Sequence, residues 1–350
     1  MKLETRQRLM KLGTVAVLGV GVFAAGLANR PTSALAHEIA HNTYMVSAGA
    51  YSGGNAELMA FAPSYLKVHR GDTVMWHINS FHNVHIGEKP ADLITVQEVG
   101  GKPTPIVNPS VAFGNIKTGE TYKGGDVSNG LGMGPDASPI FSVVIDMPVG
   151  IYNYFCDIHV GMTGVIEVVA DDEAIPAPAE VDAAAQDEIA GQFKAATPNV
   201  VAKSAEVSPV AKDGVLKVSL GVGNIGRVYY GQFLPYFGTI KAGESVTWEN
   251  PADGIEVHFI NSSPYDDKAL PDFAPMPPAA EGQPPIIAAG PGFLGDIQTG
   301  ATVGKGDAFN STAIAPGQSF TLTFKDPGVY AYTCHIHPGM NGVIVVEPAS

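Results

Sequence analysis

The stretch Gly150-Ile151-Tyr152-Asn153-Tyr154-Phe155-Cys156-Asp157-Ile158-His159-Val160-Gly161-Met162-Thr163-Gly164 decides how this chain is read. It returns 178 positions later as Gly328-Val329-Tyr330-Ala331-Tyr332-Thr333-Cys334-His335-Ile336-His337-Pro338-Gly339-Met340-Asn341-Gly342. Both copies follow G-x-Y-x-Y-x-C-x-x-H-x-x-M-x-G. Each sets a thiol, an imidazole and a thioether on one short loop, just after alternating tyrosines that read as a strand. The chain has 2 cysteines, and each fills the same slot of its motif. A disulfide between equivalent positions of two repeats would leave the His and Met spacing unexplained, so the thiols read as metal ligands.

A thiolate, two imidazoles and a weak axial thioether form the ligand set of a blue-copper electron-transfer site. The second imidazole must come from elsewhere. In the first unit the candidate is His82, within Phe81-His82-Asn83-Val84 and six residues after Trp76. In the second it is His258, within Val257-His258-Phe259-Ile260 and ten residues after Trp248. The expected sets are His82, Cys156, His159 and Met162, and His258, Cys334, His337 and Met340. The cysteines would give the electron its covalent route, and the methionines would tune the potential. Asn83 is suited to tying the two ligand loops together. A competing alignment sets Val84-His85-Ile86 against Val257-His258-Phe259 and leaves the second unit without its first histidine. The longer loop after Trp248 allows the complete set, which is the reading adopted. The imidazole edges of His159 and His337 are expected near the surface, ringed by Val160, Gly161, Pro338 and Gly339, as an electron port.

The repeat reaches beyond the ligand loops. Phe61-Ala62-Pro63 with Gly71-Asp72-Thr73-Val74 and Trp76 matches Phe233-Leu234-Pro235 with Gly243-Glu244-Ser245-Val246 and Trp248, at an offset of 172. Gly114-Asn115-Ile116-Lys117-Thr118-Gly119 matches Gly295-Asp296-Ile297-Gln298-Thr299-Gly300. This is a tandem duplication. Short alternating segments separated by Gly, Pro and Asp turns predict an all-β antiparallel sandwich in each unit. Trp76 and Trp248 read as core residues, and His69 and His77 as surface or strand residues. Between the units, Val181, Ala185, Ile189 and Phe193 recur every four residues and predict one short helix in an Ala- and Pro-rich linker. The long excursions between Gly87 and Ser110 and from Pro271 to Pro291 read as surface loops that shape a binding face.

Lys2, Arg6, Arg8 and Lys11 precede an uncharged, mostly apolar run from Leu12 to Ala28. Ala34-Leu35-Ala36 follows with small residues suited to cleavage, so residues 1–36 read as a signal peptide. The expected organisation is then a first domain over 37–170, a partly helical linker over 171–213 and a second domain over 214–350. Export to the periplasm, the cell envelope or the extracellular space is expected, with no membrane span after cleavage. Removing residues 1–36, with five basic residues and one acid, takes the formal charge from −14 to about −18. Such a surface repels nucleic acid and suits redox partners with basic surfaces. His37 would start the mature chain, and with His41 offers only a weak chelating pair.

Both units resemble the cupredoxin family, of the plastocyanin or amicyanin kind. The resemblance rests on the Cys-His-Met loop, the Gly-Asp/Glu-Thr/Ser-Val-x-Trp segment and His82-Asn83-Val84, and covers most of residues 55–169 and 225–347. It implies two Greek-key β-sandwiches, type 1 copper at one or two sites per chain, and one-electron transfer between proteins. Two alternatives stand beside it. One is a copper-binding or delivery protein. The other is a copper-dependent oxidoreductase akin to laccase-like multicopper oxidases or two-domain nitrite reductases, with an interdomain copper on His85 and His335. Against the enzyme, a trinuclear cluster takes eight histidines in His-x-His pairs. The chain has 10 histidines, and such a pair occurs only as His335-Ile336-His337. The nitrite-reductase pattern wants a histidine just before the Cys, where Phe155 and Thr333 stand.

Overall fold

The computed structural model describes residues 41–349 apart from 54, 80, 88–92, 133–137, 160, 223–226, 263–272, 279–284 and 338. The segment read as a signal peptide, His37, Val160 and Pro338 therefore lie outside the described residues. The rest is built mostly of short strands, and in each unit two sheets enclose a core, as the alternation requires. Ser319–Phe324, for example, buries every second side chain. In the first unit, one sheet runs Ala56–Ala62, Thr43–Ser52, Thr73–Ile78, Ile140–Ile145, Glu120–Tyr122. It faces Tyr65–His69, Thr163–Val169, Gly150–Phe155, His85–Ile86, Val127–Ser128. The second unit repeats the plan, with Phe233–Leu234, Val215–Leu220, Ser245–Glu249, Ser319–Phe324 and Ala301–Val303 in one sheet. Phe237–Lys241, Asn341–Glu347 and Gly328–Thr333 form the other.

The sheets are mixed rather than antiparallel. Thr43–Ser52 runs parallel to Thr73–Ile78, and Tyr65–His69 runs parallel to Thr163–Val169. The same holds for Val215–Leu220 beside Ser245–Glu249 and for Phe237–Lys241 beside Asn341–Glu347. The cause is a change of sheet. After Ala56–Ala62 the chain crosses to the other layer as Tyr65–His69, then returns beside its first strand in the same direction.

The tyrosine repeat finds its use in the core. Tyr154 stands edge-on to Trp76, with ring centroids 5.4 Å apart, and against Phe61 at 4.7 Å. Tyr332 meets Trp248 at 5.3 Å and Phe233 at 4.7 Å. Offset and edge-on rings add to plain burial. The last glycine of each motif follows from this packing. A Cβ on Gly164 would lie 2.2 Å from the Tyr154 ring, and one on Gly342 would lie 2.2 Å from the Tyr332 ring.

The two units are stitched together by strands. Val228–Tyr230 of the second unit pairs antiparallel with Ala56–Ala62 and extends the first unit's sheet. The excursions expected to be surface loops instead form a shared four-stranded sheet. Ile94–Val99 and Lys102–Val107 come from one unit, Phe273–Met276 and Ile286–Ala289 from the other, with Ala288 opposite Ile106. Their Ile and Val side chains can be buried against each other, which a solvated loop would not allow; Ile106, Val107, Ile286 and Ile287 are buried.

The linker helix is longer than its four-residue recurrence indicated, covering Pro178–Glu206, 29 residues. Pro178 opens it, and the Glu180 carboxylate accepts the Ala177 N–H at 3.1 Å. Val181 packs into the first core. Ile189 and Phe193 cover an apolar cluster that includes Leu58, Val228 and Leu234, so the helix clamps the inter-unit strand pair from one side.

Candidate metal centres

Register settles which histidine belongs to which set. His85 lies opposite Phe155, the residue before Cys156. In the second unit Asn261 lies opposite Thr333, the residue before Cys334. His82 and His258 each stand three residues before these partners, so His258 is the counterpart of His82, and the competing alignment with His85 fails.

In the first unit Cys156 Sγ lies 3.4 Å from His159 Nδ1 and 3.8 Å from His82 Nδ1, and the two Nδ1 atoms are 2.7 Å apart. In the second, Cys334 Sγ lies 3.3 Å from His337 Nδ1 and 3.8 Å from His258 Nδ1. Among the described residues these are the two groups of three or more His, Cys, Asp or Glu side chains that gather their ligand atoms within 4.8 Å. Met162 and Met340 are buried in the same cores as the cysteines. Each ligand loop is closed in the same way. Cys156 N–H donates to the Met162 carbonyl and Met162 N–H to the His159 carbonyl, both at 3.0 Å, and Cys334, Met340 and His337 repeat both bonds at 3.0 Å. Backbone bonds thus set three side chains before any metal arrives.

Asn83 ties the loops as anticipated. Its Oδ1 accepts the Asp157 N–H at 2.8 Å, and its Nδ2 donates to Asp157 Oδ2 at 2.7 Å. Phe259 stands at that position in the second unit. There Asn261 and Thr333 exchange backbone bonds at 3.0 and 2.9 Å, and the Thr333 hydroxyl donates to the Met340 carbonyl at 3.1 Å.

Two buried sets of one thiol and two imidazoles, each with a neighbouring thioether, match the soft and borderline donors that copper prefers. The family described as copper binding proteins, plastocyanin/azurin family, matches residues 47–169 and 231–347. The chain belongs to this family. Among solved structures, an amicyanin from Paracoccus versutus is 22% identical over 41% of this chain and 88% of its own, with a TM-score of 0.22. A purple cupredoxin from Nitrosopumilus maritimus is 24% identical over 37% of this chain and 98% of its own, with a TM-score of 0.23.

The two cupredoxin units present their ligand ends to each other, and this overturns the expected surface port. His159 and His337 are 8% and 9% exposed. Their outer nitrogens face a residue that sequence reasoning missed. The Glu256 carboxylate places Oε1 3.2 Å from His159 Nε2 and Oε2 3.7 Å from His337 Nε2. The remaining outer nitrogens are covered too. Glu57 Oε1 lies 3.2 Å from His82 Nε2, and Tyr229 Oη lies 2.6 Å from His258 Nε2. Glu57 and Tyr229 are equivalent in the repeat and oppose each other across the inter-unit strand pair. Their neighbours Asn55 and Arg227 are also equivalent, both at positive φ. Each leans over the other unit's ligand loop: Asn55 is close to Gly339, and the Arg227 guanidinium to Gly161. The one signal that could have marked Glu256 was an acid two residues before a candidate ligand.

In the metal-free chain these neighbours set the ionisation. Burial raises the Cys156 thiol, but the charges and hydrogen bonds of His159 and His82 outweigh it and bring the pKa down to about 5. Burial lowers His337, yet its interactions with Cys334 and Glu256 push it up to about 10. His159 is likewise carried well above its ordinary value, against its burial, chiefly by the charges of Glu256 and Cys156. Burial and the His337 charge drive His258 well below. Burial raises Glu256, but His159 and His337 hold it as a carboxylate far below the usual range.

The residues considered for an additional copper lie outside both groups. His85 Nδ1 is paired with Asp157 Oδ1 at 2.9 Å, and its ring packs on Phe155 with centroids 4.8 Å apart. His335 is buried beside Cys334 in sequence and joins no group of three such ligands among the described residues. His69 Nε2 meets the Glu173 carbonyl at 2.9 Å, and His77 is exposed on its strand. Among the described residues no helix is long and apolar enough to cross a membrane.

Proposed function

We propose that the chain is an exported carrier of single electrons with two type 1 copper centres. One is held by His82, Cys156, His159 and Met162, the other by His258, Cys334, His337 and Met340. The observation that carries this reading is the pair of buried thiol–imidazole groups, each set by backbone bonds. Bound copper would supply a one-electron couple at each centre. The chain's own part is to fix the donors so that little rearranges when the charge changes, and to exclude water. Both cysteines are at most 1% exposed, which favours retention of the metal over delivery. The acidic surface suits redox proteins with basic faces.

The test is copper stoichiometry with a visible spectrum on the full chain beside Cys156→Ser and Cys334→Ser. Two coppers, with each variant losing about half of an intense thiolate-to-copper band, is the expected result. One copper lost with Cys156 alone would make the second unit structural.

One observation favours a second reading, a copper-dependent oxidoreductase. A cleft of about 340 Å³ opens at the junction of the units, lined by Tyr51, Asn55, Glu57, Tyr229 and His337. It is large enough for a small molecule. Turnover of oxygen or nitrite by the loaded chain would establish that activity; no turnover would leave the carrier.

A further inference from the structure

Glu256 belongs to one unit, yet its carboxylate faces the outer nitrogens of both His159 and His337. A carboxylate this deep costs several kcal/mol in lost hydration unless opposite charge or hydrogen bonding offsets it. Here the groups facing it are imidazoles of the two candidate centres. Asn250 holds its backbone in place: the side-chain Nδ2 donates to the Glu256 carbonyl at 2.9 Å and to the Ile314 carbonyl at 2.8 Å. Inward, each of the two histidines reaches a cysteine, at 3.4 and 3.3 Å. The line Cys156, His159, Glu256, His337, Cys334 is therefore continuous, with its two inter-residue gaps at the carboxylate being 3.2 and 3.7 Å.

Resting on the two-centre reading above, we propose that Glu256 is the bridge for electron exchange between the two centres, so that the chain works as one redox unit. The step is a one-electron exchange. Cuprous copper in one unit is oxidised and cupric copper in the other is reduced, and no bond forms or breaks. Glu256 is a positioning residue in this step: it holds the two imidazole edges against one side chain and excludes water between them. A second contact line runs alongside, from His82 to Glu57 and across the strand pair to Tyr229 and His258.

The experiment uses the full, copper-loaded, oxidised chain. Less than one electron per chain is delivered in a rapid pulse, and the visible bands and cupric resonance signals are followed. The signals of each centre are assigned from Cys156→Ser and Cys334→Ser. The expected result is a redistribution phase whose rate does not depend on protein concentration. Glu256→Gln, which keeps the shape but loses one of the two acceptor contacts, should slow that phase. Glu256→Leu should slow it further, with both thiolate bands retained in each variant. A redistribution that depends on protein concentration, or one equally fast in both variants, would overturn the bridge. Absence of thiolate bands in the single-cysteine chains would instead sink the copper reading itself, and the bridge with it.

Discussion

Asn83 shows how much one side chain does when it spans two loops. Its Oδ1 accepts a hydrogen bond from the Asp157 N–H and its Nδ2 donates one to the Asp157 carboxylate, so the loop bearing His82 and the loop bearing Cys156 are tied together. Asn83→Ala should cost about 1–3 kcal/mol, the usual penalty for leaving buried partners unmade. It should also speed copper loss from the first centre and leave the second, where Phe259 stands, unchanged. Chelator-driven loss in Cys334→Ser and Cys156→Ser backgrounds separates the two. His337 carries a pH prediction. Its protonated form, held by its contacts with Cys334 and Glu256, has a pKa raised to about 10 from an ordinary 6.5. In the metal-free chain its stabilisation is therefore complete below about pH 6.5 and is lost as pH rises towards 10. Copper needs the neutral ring and must displace that proton. Apparent affinity of the second centre should climb by up to about tenfold per pH unit across this window. Competition with a chelator at several pH values in Cys156→Ser measures it; a flat profile would show that His337 is already neutral.

The strand pair Ala56–Ala62 with Val228–Tyr230 does two jobs. Its backbone bonds join the units, and its alternation sends Leu58 and Val228 into the shared cluster under the linker helix. Glu57 and Tyr229 then point to the candidate centres on the other side. Leu58 is 1% exposed, so Leu58→Ala should cost about 2–5 kcal/mol, a transfer loss plus a cavity. Because this cluster links the units, the variant should also turn one calorimetric unfolding transition into two. A single transition of unchanged sharpness would show that the shared four-stranded sheet alone couples them.

For the molecule as a whole, the net charge and the facing of the two ligand ends bear on the proposed encounter with redox partners. The full chain carries a net charge of −14; on the proposed carrier reading, electron exchange with basic redox proteins should therefore slow as ionic strength rises, since the Debye length shrinks to about 8 Å at physiological salt. Stopped-flow rates between low and high salt test this. Insensitivity would point to an apolar contact instead. Because the histidine edges are turned inward, substitutions on Gly161 or Gly339 should act first on the contacts with Arg227 and Asn55.

The duplication, the strand pattern and the Cys-His-Met loops could be read from the amino-acid order, because that information is local; the structure gathers His82 with Cys156 and His159, and His258 with Cys334 and His337. Alternating burial repeats every two residues, and three ligands of each set sit on one loop closed by its own backbone bonds. His258 was harder. It is separated from its loop by most of a domain, and only the pairing of Asn261 with Thr333 fixed its register. Glu256, Glu57, Tyr229, Arg227 and Asn55 owe their places to the packing of one unit on the other. Which faces meet depends on the Ala56–Ala62 and Val228–Tyr230 edges and on the sheet made from two excursions, each of which, alone, reads as a loop. Edge strands have no partner in their own sequence neighbourhood; they acquire one only when two folded layers approach. That approach turned two expected surface imidazoles into a buried junction around one carboxylate.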